Sequence, residues 1–346
     1  MKLLVLGAGC SCKYGYPLAK QMRAHLSVFA ESAMAHQPAI ANLARKTEHL
    51  YGQFKNLDTL DELVRAMNQR AENAEPPLML DEESDRQIET AKAAISAMFR
   101  DKERAAIESG LKGYKDWFKR AFGNDSCETA LKKTPWRVLS FNYDLLFELA
   151  FHEYFGIPNH ANYIYSSTYL NSGFLLGTQQ ISDIDSGRFS FLKLHGSVGM
   201  SCYSFGGWRF HPPVPNSRAP YSLKADDFFD GERVRKQLIV FPHEKSWVNS
   251  NRYDQRKLPF AQYINNVWAT AKIFAAQADE IHIIGYSVDN IDWIDFSSIL
   301  NAAYSHGHPK ILIEDPFMAD SIAEFLKGHL PVGADVRAIK KHFERQ

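Results

Sequence analysis

The apolar positions of this chain follow three patterns. The first is the uninterrupted run Leu3-Leu4-Val5-Leu6, which stops at Gly7-Ala8-Gly9. A short apolar run closed by glycines predicts a buried strand entering a tight turn, because glycine allows backbone bends and close backbone approach. From Pro17 to about Lys133 the apolar residues lie three or four apart among charges, which predicts helices. Asp58-Thr59 ahead of Leu60, Leu63, Val64 and Met67 is a helix start, and Glu75-Pro76-Pro77 a stop. Arg86 to Phe122 forms a second helical stretch with Ile88, Ala91, Ile95, Met98 and Phe99 on one stripe.

The third pattern alternates short strands with helices. Val138-Leu139-Ser140-Phe141, Phe189 to Leu194, Gln237 to Phe241 (stopped by Pro242), Ile281 to Ile284 and Lys310 to Glu314 read as strands. Helices are expected from about Pro259 to Ala278 and from about Ile291 to Ala303. Such alternation predicts the α/β class: a Rossmann-like, doubly wound, mostly parallel sheet. A crossover between parallel strands needs only roughly 10–12 residues. Residues 22–133 therefore constitute a large helical insertion after the first strand, a cap or subdomain, within a single domain over 1–346. Residues 199–236 are rich in glycine and aromatics without a period, and read as a loop-rich lid segment.

Charge narrows the partners. Lys plus Arg and Asp plus Glu are both 40, so no overall positive field exists and direct nucleic-acid binding is not expected. The four cysteines, at 10, 12, 127 and 202, form no CxxC pair, which argues against a zinc module and a disulfide framework; a reducing, cytoplasmic setting and no metal are expected. His306 and His308, beside Gly and Pro, read as a surface loop rather than a metal site. Four apolar residues before Gly7 fall short of a secretory segment, and no run approaches the roughly 18 apolar residues of a membrane span.

The candidate chemistry sits at strand ends. Gly7-Ala8-Gly9-Cys10-Ser11, Asn142-Tyr143-Asp144, Lys193-Leu194-His195-Gly196-Ser197 and Gly285-Tyr286-Ser287 each follow a predicted strand. Ligands of open α/β sheets bind outside the carboxyl ends of the strands, so the four segments predict one shared crevice. The three-glycine dinucleotide fingerprint is incomplete, since Cys12 occupies its last position. Each residue also has a structural reading. Asn142 is a good cap for the following helix, His195 fits a turn before Gly196, and Asp144 suits a first helical turn.

In order, these four segments, with Gly15-Tyr16-Pro17, resemble the motifs of the Sir2-like superfamily. The resemblance implies a Rossmann-like domain that binds NAD and cleaves its nicotinamide–ribose bond. The zinc-containing deacylase branch carries four zinc cysteines and an Asp-Phe-Arg after the Gly-x-Pro turn. This chain lacks the cysteine module and reads Leu18-Ala19-Lys20 there. It is more similar to bacterial Sir2-like NAD hydrolases of antiviral defence. That resemblance implies an NAD glycohydrolase yielding nicotinamide and ADP-ribose, with NAD as substrate, a homo-oligomer, and a regulatory protein partner. The alternatives are an NAD-dependent deacylase or ADP-ribosyltransferase, and a non-catalytic NAD or ADP-ribose sensor.

Site roles follow from the same resemblance. Nicotinamide departs as a neutral molecule, so no general acid is required, only stabilisation of an oxocarbenium-like ribose and a placed water. Asn142 would orient water and ribose, and His195 would act as base. Asp144 would hold a ribose hydroxyl or support positive charge. Gly7, Ala8, Gly9 and Ser11 would approach the pyrophosphate through backbone amides and a hydroxyl, with Gly285 and Ser287 on the adenosine side. Glu314 would bind ribose hydroxyls, with a surface strand-end acid as the plain alternative. Trp208 and Phe210 would close over nicotinamide, against the alternative of a packed loop.

Overall fold

The computed structural model describes residues 1–54, 57, 59–72, 82–132, 134–156, 189–202, 208–210, 224–241, 244, 261–288, 290–341 and 343. Strand β1 (Lys2–Leu6) leads into the single turn α1 (Gly9–Cys12). Helices α2 (Met22–Ala33), α3 (Pro38–Gln53), α4 (Leu60–Glu72), α5 (Glu82–Glu108), α6 (Lys112–Phe122) and α7 (Cys127–Lys132) follow, with no strand among the described residues between them. Thr59 starts α4 as a capping box, its backbone amide donating to Glu62 Oε2 at 2.9 Å and the Glu62 amide to Thr59 Oγ1 at 3.1 Å. The helical stretch expected over Arg86 to Phe122 is present as two helices, divided where the chain turns at Gly110 and Leu111, with φ of +81° and +47°.

The second part runs β2 (Trp136–Ser140), α8 (Leu146–Phe155), β3 (Ser190–Lys193), β4 (Gly196–Cys202), β5 (Trp208–Phe210), β6 (Phe229–Asp230), β7 (Arg233–Val234) and β8 (Gln237–Ile239). It ends α9 (Ala261–Ala276), β9 (Glu280–Ile284), α10 (Asn290–His306), β10 (Lys310–Glu314), α11 (Ala319–His329) and β11 (Val336–Ile339). Six strands form one parallel sheet in the order β3-β2-β1-β9-β10-β11. Numbered along the chain this is 3-2-1-4-5-6, the doubly wound Rossmann order. Leu3, Leu4 and Val5 of β1 are all fully buried, so helices cover both faces of the central strand.

Strand order and register place the site. Leu6 is paired with Ser140 on one side and Ile284 on the other; Ser140 pairs with Lys193, and Ile284 with Glu314. The residues just beyond this row emerge together along the carboxyl edge. The winding reverses between β1 and β9, which makes that gap the ligand crevice of such sheets.

One strand differs from expectation. Gln237 to Phe241 does not resume the parallel sheet: β8 pairs antiparallel with β4 in a separate three-stranded sheet with β5. Gly196, φ +78°, permits that pairing, since a Cβ there would stand 2.0 Å from the Leu238 carbonyl oxygen and would keep β8 from lying against the chain as it leaves β3. Of the loop-rich segment 199–236, residues 203–207 and 211–223 lie outside the described residues. No helix among the described residues is long and apolar enough to cross a membrane.

Candidate functional site

The two loops flanking the crevice are locked backbone to backbone. The Gly7 amide donates to the Ile284 carbonyl at 3.0 Å and the Gly9 amide to the Gly285 carbonyl at 2.8 Å. A Cβ on Gly7 would lie 2.4 Å from Tyr286 Cα, and one on Gly285, φ +61°, 2.4 Å from the Cys10 amide nitrogen. These glycines are required by mutual contact. The amides of Cys10 and Ser11 close the turn onto Gly7 and Ala8, each at 3.0 Å, while Ala8 and Gly9 are exposed on its outer side. Cys10 donates its thiol to the Ile284 carbonyl at 3.0 Å, and burial pushes it well above the ordinary thiol range. It is a packing residue, not a thiolate.

Behind this turn, Ser11 is the hub of a buried polar network. Its Oγ lies 2.7 Å from Asp144 Oδ2, 3.1 Å from the Tyr114 hydroxyl and 3.3 Å from Asn142 Nδ2. A carboxylate only accepts, so Ser11 donates to Asp144 and accepts from the other two. That order fixes the Asn142 amide: Nδ2 faces Ser11 and Oδ1 faces away. Asn142 Oδ1 is buried and has no hydrogen-bond partner among the described residues. Asn142 does not cap α8. The N-cap is Leu145, and Asp144 one residue before it accepts the Leu146 amide on Oδ1 at 3.0 Å, so both its oxygens are engaged internally.

A charged layer supports the loop. Lys193, fully buried on β3, donates to the Asp144 carbonyl and lies 3.3 Å from Glu148 Oε1. Arg100 and Glu103 of α5 pair at 2.9 Å, both buried. Burial lifts the Glu103 carboxyl to about 7 despite Arg100, and the negative charges of Glu148 and Asp144 add to the rise.

His195 follows Lys193 as Asn142 follows Ser140, so these two side chains start from adjacent strand ends at the same level. Its ring is buried edge-on to Phe141 at 5.3 Å and near Tyr143 and Trp268, at 6.0 and 6.2 Å. Trp268 Nε1 donates to the Leu194 carbonyl at 3.0 Å, and the Val240 amide to the His195 carbonyl at 2.9 Å. The histidine backbone is thus clamped from α9 and from the β8 side.

The remaining sequence candidates are dispersed. Glu314 is buried at the end of β10, two strands from β1 on the side away from Asn142 and His195; its charge acts on Cys10 and Arg120. Ser287 is exposed beyond β9. Trp208 and Phe210 belong to β5, but their side chains lie outside the described residues. His306 is exposed in the last turn of α10, with Nδ1 3.2 Å from the Ala302 carbonyl. Sequence reading missed Tyr114, Lys193 as a buried anchor, and Trp268. Tyr114 and Trp268 lie in helical segments with no motif, and Lys193 was legible only as a lysine in an otherwise apolar strand.

No protein-family model and no curated protein matches the chain. Solved structures similar to it include a mutant Sir2 homologue with ADP-ribose, 12% identical, TM-score 0.41, covering 99% of this chain and 87% of that one. Another is a Sir2 homolog–NAD complex, 12% identical, TM-score 0.39, covering 99% and 85%.

Proposed function

We propose that the chain binds NAD at the β1/β9 crevice and hydrolyses its nicotinamide–ribose bond. The observation that carries this reading is Asn142 Oδ1, a buried acceptor with no hydrogen-bond partner among the described residues, which a ligand or a water would supply. Ribose hydroxyls and an attacking water are donors of the required kind. In the reaction the carbon–nitrogen bond breaks with its electron pair going to nicotinamide, which leaves neutral. Water oxygen bonds to the anomeric carbon, and His195 takes the water proton before releasing it to solvent. Asn142 orients the water and the ribose.

Asp144 and Ser11 serve this site indirectly, by fixing the Asn142 amide. Because the amides of Gly7, Gly9 and Ser11 and the Ser11 hydroxyl are bonded internally, these do not reach a pyrophosphate as the motif suggests; it would meet the turn at its exposed Ala8 edge, with Gly285, Ser287 and Glu314 toward its adenosine side. The helical insertion caps the site, a role supported by Tyr114 reaching Ser11. A cytoplasmic NAD-depleting effector of antiphage defence, working as a homo-oligomer under a regulatory partner, is the biological setting suggested by the motif resemblance.

The test is chromatography of NAD incubated with wild type, Asn142→Ala and His195→Ala, after thermal melts show that the variants fold. Nicotinamide and ADP-ribose from wild type, with losses of about 10²-fold or more in both variants, are expected. An NAD-induced melting shift without products would favour the sensor. Neither product nor shift would defeat the reading.

A further inference from the structure

The Ser11 hub has three hydrogen-bonding positions, one proton and two lone pairs. Asp144 takes the proton and Asn142 Nδ2 fills one lone pair. The other belongs to the Tyr114 hydroxyl at 3.1 Å, and it comes from α6 of the insertion rather than from any strand end. We propose that Tyr114 is a positioning residue of the nucleotide site, completing the Ser11 hub so that Asn142 Oδ1 stays turned toward the ligand. This rests on the NAD reading above.

The surroundings of Tyr114 hold it for that task. Its ring stacks on Tyr14 at 5.8 Å and meets Phe147 and Phe343 edge-on at 6.2 and 5.0 Å. One residue earlier, the Gly113 amide donates to the Tyr14 hydroxyl at 3.1 Å, tying the start of α6 to the segment after the glycine turn. Burial, reinforced by the charge of Asp144, raises the Tyr114 hydroxyl well above the ordinary phenol range, so it remains a donor. With the donor removed, the Ser11 oxygen has an unfilled buried lone pair and freedom to rotate, and the Asn142 amide loses its fixed anchor.

Tyr114→Phe keeps the ring and deletes only the hydroxyl. Tyr16→Phe is the matched control, because the buried Tyr16 hydroxyl donates to the Phe99 carbonyl at 3.1 Å and does not bond to Ser11. The two variants should melt alike. NAD turnover should fall about tenfold in kcat for Tyr114→Phe and less than about twofold for Tyr16→Phe. In a Ser11→Ala background, Tyr114→Phe should cost less than about a further twofold, since Tyr114 acts through Ser11. Equal turnover in the two tyrosine variants, or an undiminished loss in the Ser11→Ala background, would overturn the proposal. A ligand-free arm separates this from the proposed function: solvent exchange of the Asn142 side-chain amide protons, followed by NMR, should be faster in Tyr114→Phe than in wild type. If wild type neither binds nor cleaves NAD, the functional reading fails. Unchanged Asn142 exchange then rejects Tyr114 as a positioning residue as well.

Discussion

Ser11 Oγ stands 2.7 Å from Asp144 Oδ2, while the other oxygen of the same carboxylate accepts the Leu146 amide at 3.0 Å. One acid therefore fixes both the start of α8 and the proton order around Ser11. Asp144→Asn can keep the helix contact through its carbonyl oxygen, but its amide then meets Ser11 as a donor where an acceptor is needed. It should lose about 1–3 kcal/mol of stability, because two buried donors then face each other, and release nicotinamide at least about tenfold more slowly. Asp144→Ala should lose the Leu146 contact as well, a further loss of about 1 kcal/mol, measured by denaturant melts. An Asp144→Asn variant with full turnover would remove the network from the mechanism.

The glycine turn offers a stability test. Gly15 and Gly285 both have positive φ, +82° and +61°, but a Cβ at Gly15 meets nothing within 4 Å, whereas one at Gly285 meets the Cys10 amide nitrogen at 2.4 Å. Gly15→Ala should cost only the backbone strain of about 1 kcal/mol. Gly285→Ala adds overpacking against backbone and should cost about 2 kcal/mol more in urea unfolding. Equal costs would mean that the two loops part easily.

Lys193 lies between the carbonyl of Asp144 and the carboxylate of Glu148, and both it and Glu148 are fully buried. Lys193→Met removes one buried cation from beside the Glu148 carboxylate and should destabilise the fold by about 3 kcal/mol. Adding Glu148→Gln should restore part of that loss, because the buried negative charge that Lys193 balanced is gone. A double variant no more stable than the single would show that lysine matters through packing alone.

The frame was legible because its information is local. Leu3 to Leu6, Ile281 to Ile284 and Lys310 to Glu314 are runs of β-branched and aliphatic residues bounded by breakers, and their structure matches the reading closely. An apolar run such as Gln237 to Phe241 does not say which sheet it joins, and the room that Gly196 leaves for Leu238 is a tertiary contact without a sequence signal. β11 went unread because Val336-Arg337-Ala338-Ile339 is a short edge strand with a weak apolar signal. In the site, Ser11, Asn142, Asp144 and His195 stood at strand ends and were visible. Tyr114 was not, since its position depends on how α6 packs across a long insertion, a tertiary fact without a sequence period.

The buried acid of α5 makes stability depend on pH in a definite direction. Glu103 is fully buried, pairs with Arg100 at 2.9 Å, and feels Glu148 and Asp144; its carboxyl is lifted from 4.5 to about 7. The folded state therefore holds this proton more tightly than the unfolded chain does. Its contribution is fully present below about pH 4.5 and is lost as pH rises through about 7. A rise of that size corresponds to about 3 kcal/mol between the two limits. Glu103→Gln removes the titration while keeping shape and a hydrogen-bond acceptor for Arg100. Urea unfolding at pH 5 and pH 8 should show wild type losing stability relative to Glu103→Gln as pH rises, by about 1–3 kcal/mol. If the difference between the two proteins is the same at both pH values, Glu103 carries its charge throughout and the layer beneath Asn142 is fully ionic.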